Sequence, residues 1–160
     1  NIGGLVGNQL DGSIISSYSV GTANGVTITS EGGDSGPVVS ITGVNVGALV
    51  GQLSGTATII DSNSQGSATG KAMVGGLVGF ATEDSFISDS FSSANVTALE
   101  SFAGGLVGGL ESSKGINTSF SSGFTETLGT DEHIAYGAGA LWDQLVKVQL
   151  LGTRFLQVQL

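Results

Sequence analysis

Gly75-Gly76-Leu77-Val78-Gly79, followed by Ile87-Ser88-Asp89-Ser90-Phe91-Ser92-Ser93-Ala94, is the stretch that decides the reading of this chain. The first motif recurs as Gly3-Gly4-Leu5-Val6-Gly7 and as Gly104-Gly105-Leu106-Val107-Gly108, and with one change as Gly47-Ala48-Leu49-Val50-Gly51. Eleven or twelve residues after each first glycine stands an isoleucine: Ile14, Ile59, Ile87 or Ile116. It opens a second motif, Ile-x-x-Ser-(aromatic or Asn)-Ser-x-(Gly or Ala). Two linked motifs at a fixed offset do not arise from Gly-rich composition alone, so the chain is a repeat protein. The first glycines, at 3, 47, 75 and 104, are 44, 28 and 29 residues apart. The period is thus 28 to 29 residues, within the range of solenoids, and the first interval carries an insertion at roughly 27–42. A run beginning Gly139-Ala140-Leu141 reads as a decayed fifth copy.

Each repeat holds three short apolar runs separated by Gly, Asn or Ser, the pattern of short strands joined by turns. A helical reading fares badly, because each interior glycine costs roughly 0.8–1 kcal/mol relative to alanine. The expected fold is all-β: a parallel β-solenoid (β-helix) of about four 28–29-residue coils plus a partial fifth, spanning 1–140. Coils stacked at the inter-strand distance of about 4.8 Å give a body roughly 20–25 Å long. Equivalent positions then form columns: Tyr18, Asn63, Phe91 and Phe120; Ser17, Ser62, Ser90 and Ser119; Ser19, Ser64, Ser92 and Ser121; Gly21, Gly66, Ala94 and Gly123.

Strand alternation places Ser17, Ser19 and Gly21 on one face and Tyr18 on the other. Ser16, Asp61, Asp89 and Thr118 share the Tyr18 side, and carboxylates belong in water. The aromatic column is therefore expected outside and the small Ser/Ser/Gly face inside. Leu5, Leu49, Leu77 and Leu106 join Ile14, Ile59, Ile87 and Ile116 as the expected apolar core. An inward isoleucine and an outward aromatic four residues later require a bend between them. Residues 141–160 read differently, as two strands broken near Gly152 that form either a cap or an exchanged strand; a helix over 141–151 is the alternative.

Net charge is −9, with only four basic residues, which argues against nucleic acid and against attraction to an anionic membrane surface. There is no cysteine, hence no disulfide framework or thiolate chemistry. No run approaches the 18 or so apolar residues of a transmembrane helix. The chain opens at Asn1 inside a motif, and reads as a mature form or as a segment of something longer.

The linked motifs resemble the GLUG repeat, whose Gly-Leu-(apolar)-Gly core stands here as Gly4-Leu5-Val6-Gly7, Gly76-Leu77-Val78-Gly79 and Gly105-Leu106-Val107-Gly108. Ile14-Ile15-Ser16-Ser17-Tyr18-Ser19-Val20-Gly21 is similar to the second motif of that family, and the likeness covers about 1–125. Such repeats occur in large bacterial surface and secreted proteins, including haemagglutinin-like adhesins and some immunoglobulin A peptidases whose catalysis lies elsewhere. The resemblance implies a surface stalk or adhesive module, extracellular or at the cell surface, with no catalytic residues to carry over.

Other candidate chemistry is thin. Gly33-Asp34-Ser35-Gly36-Pro37 is one glycine short of a serine-protease nucleophile motif, and the sole histidine, His133, lies beyond the repeats, so no enzyme is expected. Asp131-Glu132-His133 alternates in direction along a strand and converges poorly on a metal. Asp61 and Asp89 share a column on adjacent coils, which makes them a candidate Ca²⁺ site; otherwise no cofactor is expected. Tyr18, Asn63, Phe91 and Phe120 form the candidate binding surface for a protein or glycan at a cell surface, set against an intramolecular aromatic ladder. The expected function is a non-enzymatic rigid spacer and binding surface. A self-assembling extracellular filament of copies of this chain is the second reading, and an ice-binding solenoid the third.

Overall fold

A computed structural model describes residues 1–29, 38–128, 146–150 and 154–158. The expected all-β parallel solenoid is present. Coil 1 contains β1 (Ile2–Gly3), β2 (Val6–Leu10), β3 (Ser13–Ile15) and β4 (Tyr18–Asn24). The insertion then forms an antiparallel hairpin of β5 (Val26–Thr29) and β6 (Val38–Ile41), paired from Val26↔Ile41 to Thr29↔Val38. Coil 2 contains β7 (Asn45–Gly47), β8 (Val50–Ser54), β9 (Thr58–Ile60) and β10 (Asn63–Gly70). Coil 3 contains β11 (Met73–Gly75), β12 (Val78–Glu83), β13 (Phe86–Ser88), β14 (Phe91–Ser92) and β15 (Asn95–Ala98). Coil 4 contains β16 (Ala103–Gly104), β17 (Val107–Ser112), β18 (Gly115–Asn117), β19 (Phe120–Ser121) and β20 (Thr125–Thr127).

Equivalent strands pair in parallel along four sheets. The order is β1-β7-β11-β16 in the first, β2-β8-β12-β17 in the second and β3-β9-β13-β18 in the third. In the fourth, β10 pairs β4 on one side and β14 and β15 on the other, and β19 and β20 follow. The register reproduces the sequence columns: Asn63 faces Tyr18 and Phe91, Phe91 faces Phe120, and Ile59 faces Ile14 and Ile87. The tail forms β21 (Val146–Leu150) and β22 (Arg154–Val158), antiparallel to each other, with strand where the helical alternative was weighed. β21 meets β20 at Thr127↔Leu150. The expected fifth copy at Gly139 lies outside the described residues.

The Gly-Gly-Leu-Val-Gly motif reverses the chain so that the first and second strands of a coil lie backbone against backbone. A Cβ on Gly79 would stand 2.5 Å from the Gly51 carbonyl oxygen and 2.6 Å from the Val46 nitrogen. A Cβ on Gly47 would stand 2.7 Å from the Gly79 nitrogen. No side chain fits at either end of the motif in coils 2, 3 and 4, which is why glycine recurs there. The central Leu-Val pair points into the coil instead. Leu49, Val50, Leu77, Val78 and Leu106 pack with Ile14, Ile59 and Ile87 in a bulky core between the second and third sheets. A second core of Val46, Ala68, Val74, Ala94, Val96 and Ala103 fills the space between the first and fourth sheets. One expected core residue departs: Leu5 is 50% exposed, while Leu49 and Leu77 in the same column are fully buried. Coil 1 stands at the end of the stack, with no coil on its outward side among the described residues to cover that leucine.

Candidate functional site

The expected bend lies two residues after each isoleucine. Ser16, Asp61, Asp89 and Thr118 all have positive φ, at 48°, 48°, 51° and 44°. This is the left-handed region, which Asp tolerates better than most residues. The bend turns the chain from the third sheet into the fourth and sends the next residue, a serine, inward. Ser62, Ser90 and Ser119 are buried, as are Ser64 and Ser92 of the next serine column. The inward assignment of both serine columns therefore holds, whereas in the glycine column expected on the same face Gly21 and Gly66 are exposed and only Ala94 is buried.

The inner serines do more than fill a narrow space. The Ser62 hydroxyl donates to the Ile60 carbonyl at 2.9 Å, spanning the bend, and accepts the Ser17 N–H at 3.2 Å. The Ser90 hydroxyl donates to the Ser88 carbonyl at 2.7 Å and accepts the Ser62 N–H at 3.1 Å. Ser119 repeats the pattern, donating to the Asn117 carbonyl at 2.7 Å and accepting the Ser90 N–H at 3.1 Å. Each hydroxyl thus satisfies one N–H that the bend removes from the strand ladder, and gives a second donor to a carbonyl that already accepts the Ser16, Asp61 or Asp89 N–H. In the neighbouring column the buried Ser64 hydroxyl donates to the Gly76 carbonyl at 2.5 Å. The regular hydroxyls of these inner columns are thus engaged in internal bonds.

Asp61 and Asp89, the candidate Ca²⁺ ligands, are the left-handed residues of this bend. Asp61 Oδ2 accepts the Ser16 hydroxyl at 2.9 Å. The recurrence of Asp thus has a backbone cause. Among the described residues no group of three or more His, Cys, Asp or Glu is placed to hold a metal ion. Asp34, Ser35 and the Asp131-Glu132-His133 run lie outside the described residues.

The proposed binding column faces outward: Tyr18, Phe91 and Phe120 are exposed and Asn63 is half-buried. Phe91 and Phe120 stack on each other, with ring centroids 5.5 Å apart and planes 12° apart. That geometry spends one face of each ring on its neighbour, the ladder arrangement weighed against binding. Asn63 interrupts the ladder, separating Tyr18 from the phenylalanines by one intervening coil.

A carboxylate corner between the second and third sheets was not foreseen. Asp11 Oδ1 accepts the Thr56 N–H at 2.7 Å and the Thr56 hydroxyl at 3.1 Å. Glu83 Oε2 accepts the Gly55 N–H at 2.6 Å, and Asp84 Oδ1 accepts the Ser113 hydroxyl at 2.5 Å. These bonds tie each coil to the next. Those from Thr56 hold the Asp11 carboxyl below the usual aspartate value, the backbone N–H contributing most. The repeats themselves gave no sign of the corner, because Asp11, Glu83 and Asp84 fall between the motifs, where residue identity varies from coil to coil.

No protein-family model, curated protein or solved structure matches the chain.

Proposed function

We propose that the chain is a non-enzymatic structural and adhesive module of a bacterial cell-surface or secreted protein, acting as a rigid spacer that holds its outer face at fixed spacing. The observation that carries this reading is the unbroken parallel register of four coils, with the bend of every coil tied internally by a serine. Such an array resists bending because each coil is hydrogen-bonded to the next along four sheets. The GLUG-like motifs support the surface setting, and the low content of basic residues supports partners other than nucleic acid. The role requires no cofactor.

The outer column of Tyr18, Asn63, Phe91 and Phe120 is the surface we assign to a protein or glycan partner. Hydrogen exchange followed by mass spectrometry tests the spacer role. Residues 45–125 should exchange as one cooperative block. Coils that open independently would not serve as a rigid spacer, and that result would remove the reading. Glycan and protein arrays probed with the wild-type chain and with Phe120→Ser test the display role: loss of a hit on substitution supports it, and unchanged binding excludes this face.

A further inference from the structure

We infer that the gap in the aromatic column, over Asn63 and between Tyr18 and Phe91, is a slot for one ring of a neutral, β-linked glycan of gluco configuration. The slot belongs to the outer column proposed above for a protein or glycan partner, and the assignment rests on that reading. Asn63 pairs with Tyr18 on one side and with Phe91 on the other, so the two aromatic positions stand two strand steps apart. At about 4.8 Å a step, the gap is about 9.6 Å. Phe120 covers one face of Phe91, in a stack parallel to within 12°. The other face of Phe91 is turned towards the gap. Tyr18 is 69% exposed and stacks on no ring among the described residues.

The width of the gap selects the thickness of its occupant. A planar ring touching both walls, at about 3.5–4 Å from each, needs about 7–8 Å between them. A saturated six-membered ring carries axial hydrogens on both faces and is roughly 2 Å thicker, which suits a gap of about 9.6 Å. Two aromatic walls also require two apolar faces, because a hydroxyl pressed onto either wall loses its water without gaining a partner. A β-linked glucopyranose meets that condition. Its hydroxyls and linkages are equatorial, and only C–H groups point from its faces. A galactopyranose has one axial hydroxyl and does not meet it.

Equatorial hydroxyls project from the rim of such a ring, and polar side chains surround the slot. Asn63, half-buried, forms the floor and offers a donor and an acceptor. Asp61 and Asp89, each two residues before its column position, are exposed at one mouth. Gln65, two residues after Asn63, is exposed at the other. A carboxylate accepts strongly from a sugar hydroxyl.

Charge narrows the sugar further. The basic residues of the four coils stand in other turns: Lys71 between β10 and β11, where it pairs with Glu100 at 3.5 Å, and Lys114 between β17 and β18. With Asp61 and Asp89 at its mouth and neither lysine beside it, the slot disfavours uronic acids, sialic acids and sugar phosphates. A neutral ring is the occupant that remains.

Titration of the isotope-labelled full chain with methyl β-D-glucopyranoside, followed by NMR, tests the slot. Shifts should centre on the Asn63 side-chain amide and on Tyr18 and Phe91, and saturate with a Kd of about 1–20 mM, the range for so small a ligand. Methyl β-D-galactopyranoside should bind at least about fivefold more weakly, since its axial hydroxyl is buried without a partner. Tyr18→Ala should weaken the glucoside by about threefold or more. Asn63→Phe, which fills the slot with a ring, should abolish binding while melting no lower than wild type. Phe124→Ser, at an exposed aromatic outside the slot, should bind like wild type. A wild type without saturable shifts, equal affinity for the two sugars, or binding that survives Asn63→Phe overturns the inference. So does binding of N-acetylphenylalaninamide in place of the glucoside, which would make the slot a site for a protein side chain. Glucoside shifts centred on Phe120 and Phe124 overturn the slot and leave the outer column as the display face. The spacer role is read separately, by hydrogen exchange.

Discussion

The Ser62 N–H donates to the Ser90 Oγ one coil further on, at 3.1 Å, while that same hydroxyl donates to the Ser88 carbonyl of its own coil at 2.7 Å. One side chain thereby closes the left-handed bend at Asp89 and fastens coil 2 to coil 3. Ser90→Ala would leave the Ser62 N–H unpaired in a buried place, while the Ser88 carbonyl keeps the Asp61 N–H. The expected cost is about 1–3 kcal/mol, the penalty for orphaning a buried polar group. Ser122→Ala, at an exposed position of the fourth sheet, should fall within about 0.5 kcal/mol of wild type. Urea denaturation of the two variants checks the contrast.

The last glycine of the motif offers a comparison within one chain. In coil 3, a Cβ on Gly79 meets backbone at 2.5 Å, whereas in coil 1 a Cβ on Gly7 meets only the Asn1 oxygen, at 3.4 Å. Gly79→Ala should therefore cost at least about 1–3 kcal/mol, as overpacking does, and Gly7→Ala clearly less. Equal losses in thermal melts would show that glycine serves something other than close backbone approach.

At Asp61, with φ of 48°, the backbone sets the requirement. Asp61→Asn should be nearly neutral, since Asn tolerates the left-handed region and keeps an oxygen for the Ser16 hydroxyl. Asp61→Val should cost about 1–2 kcal/mol in backbone strain. Millimolar Ca²⁺ should leave the melting temperature unchanged. A rise seen with wild type and lost in the Asp61→Asn, Asp89→Asn double variant would establish a cation site in place of a purely conformational role.

The gap at Asn63 can be filled. It pairs with Tyr18 on one side and Phe91 on the other, so Asn63→Phe would join the lone tyrosine to the stacked phenylalanines. Each added aromatic contact is worth about 0.5–1.5 kcal/mol, and the variant should be more stable than wild type. A double-mutant cycle on Phe91 and Phe120 should give a coupling of about the same size; a coupling near zero would mean that the stacked rings contribute nothing.

Asp11 supplies a pH dependence. The Thr56 N–H and hydroxyl lower its carboxyl in the folded state. A carboxyl lowered by folding stabilises the protein above its unfolded value of about 3.9, and that contribution is lost as pH falls through the folded value. Asp11 has a left-handed φ of 61°, which Asn also tolerates, so Asp11→Asn keeps the backbone and removes the titration. The melting-temperature advantage of wild type over Asp11→Asn should be constant near neutrality and shrink below about pH 4. An advantage unchanged down to acid pH would show that the Asp11 charge is not what Thr56 recognises.

Much of the fold was legible because stacking converts sequence period into spatial columns. Once Ile14, Ile59, Ile87 and Ile116 were aligned, Tyr18 over Asn63 over Phe91 over Phe120 followed, and the structure pairs those residues. The bend after each isoleucine was also legible, from the conflict between an inward isoleucine and an outward aromatic. The reason for Asp at the bend was not. A recurrent carboxylate reads equally as a ligand or as a solvated charge, and only the φ angle reveals a backbone demand.

The sequence by itself determined the period, the parallel β-architecture and the inward serine columns, because these depend on the local alternation and spacing of residues. Tertiary structure decided what depends on neighbours far along the chain. It made Leu5 an exposed end and Leu106 a buried one, although the two occupy the same motif position. It turned Asp11, Glu83 and Asp84 into ties between coils. It gave the serine column its direction, from the Ser17 N–H to the Ser119 hydroxyl. A repeat looks the same in every copy when read along the chain; its ends, and the sense in which its hydrogen bonds run, exist only once the coils are stacked.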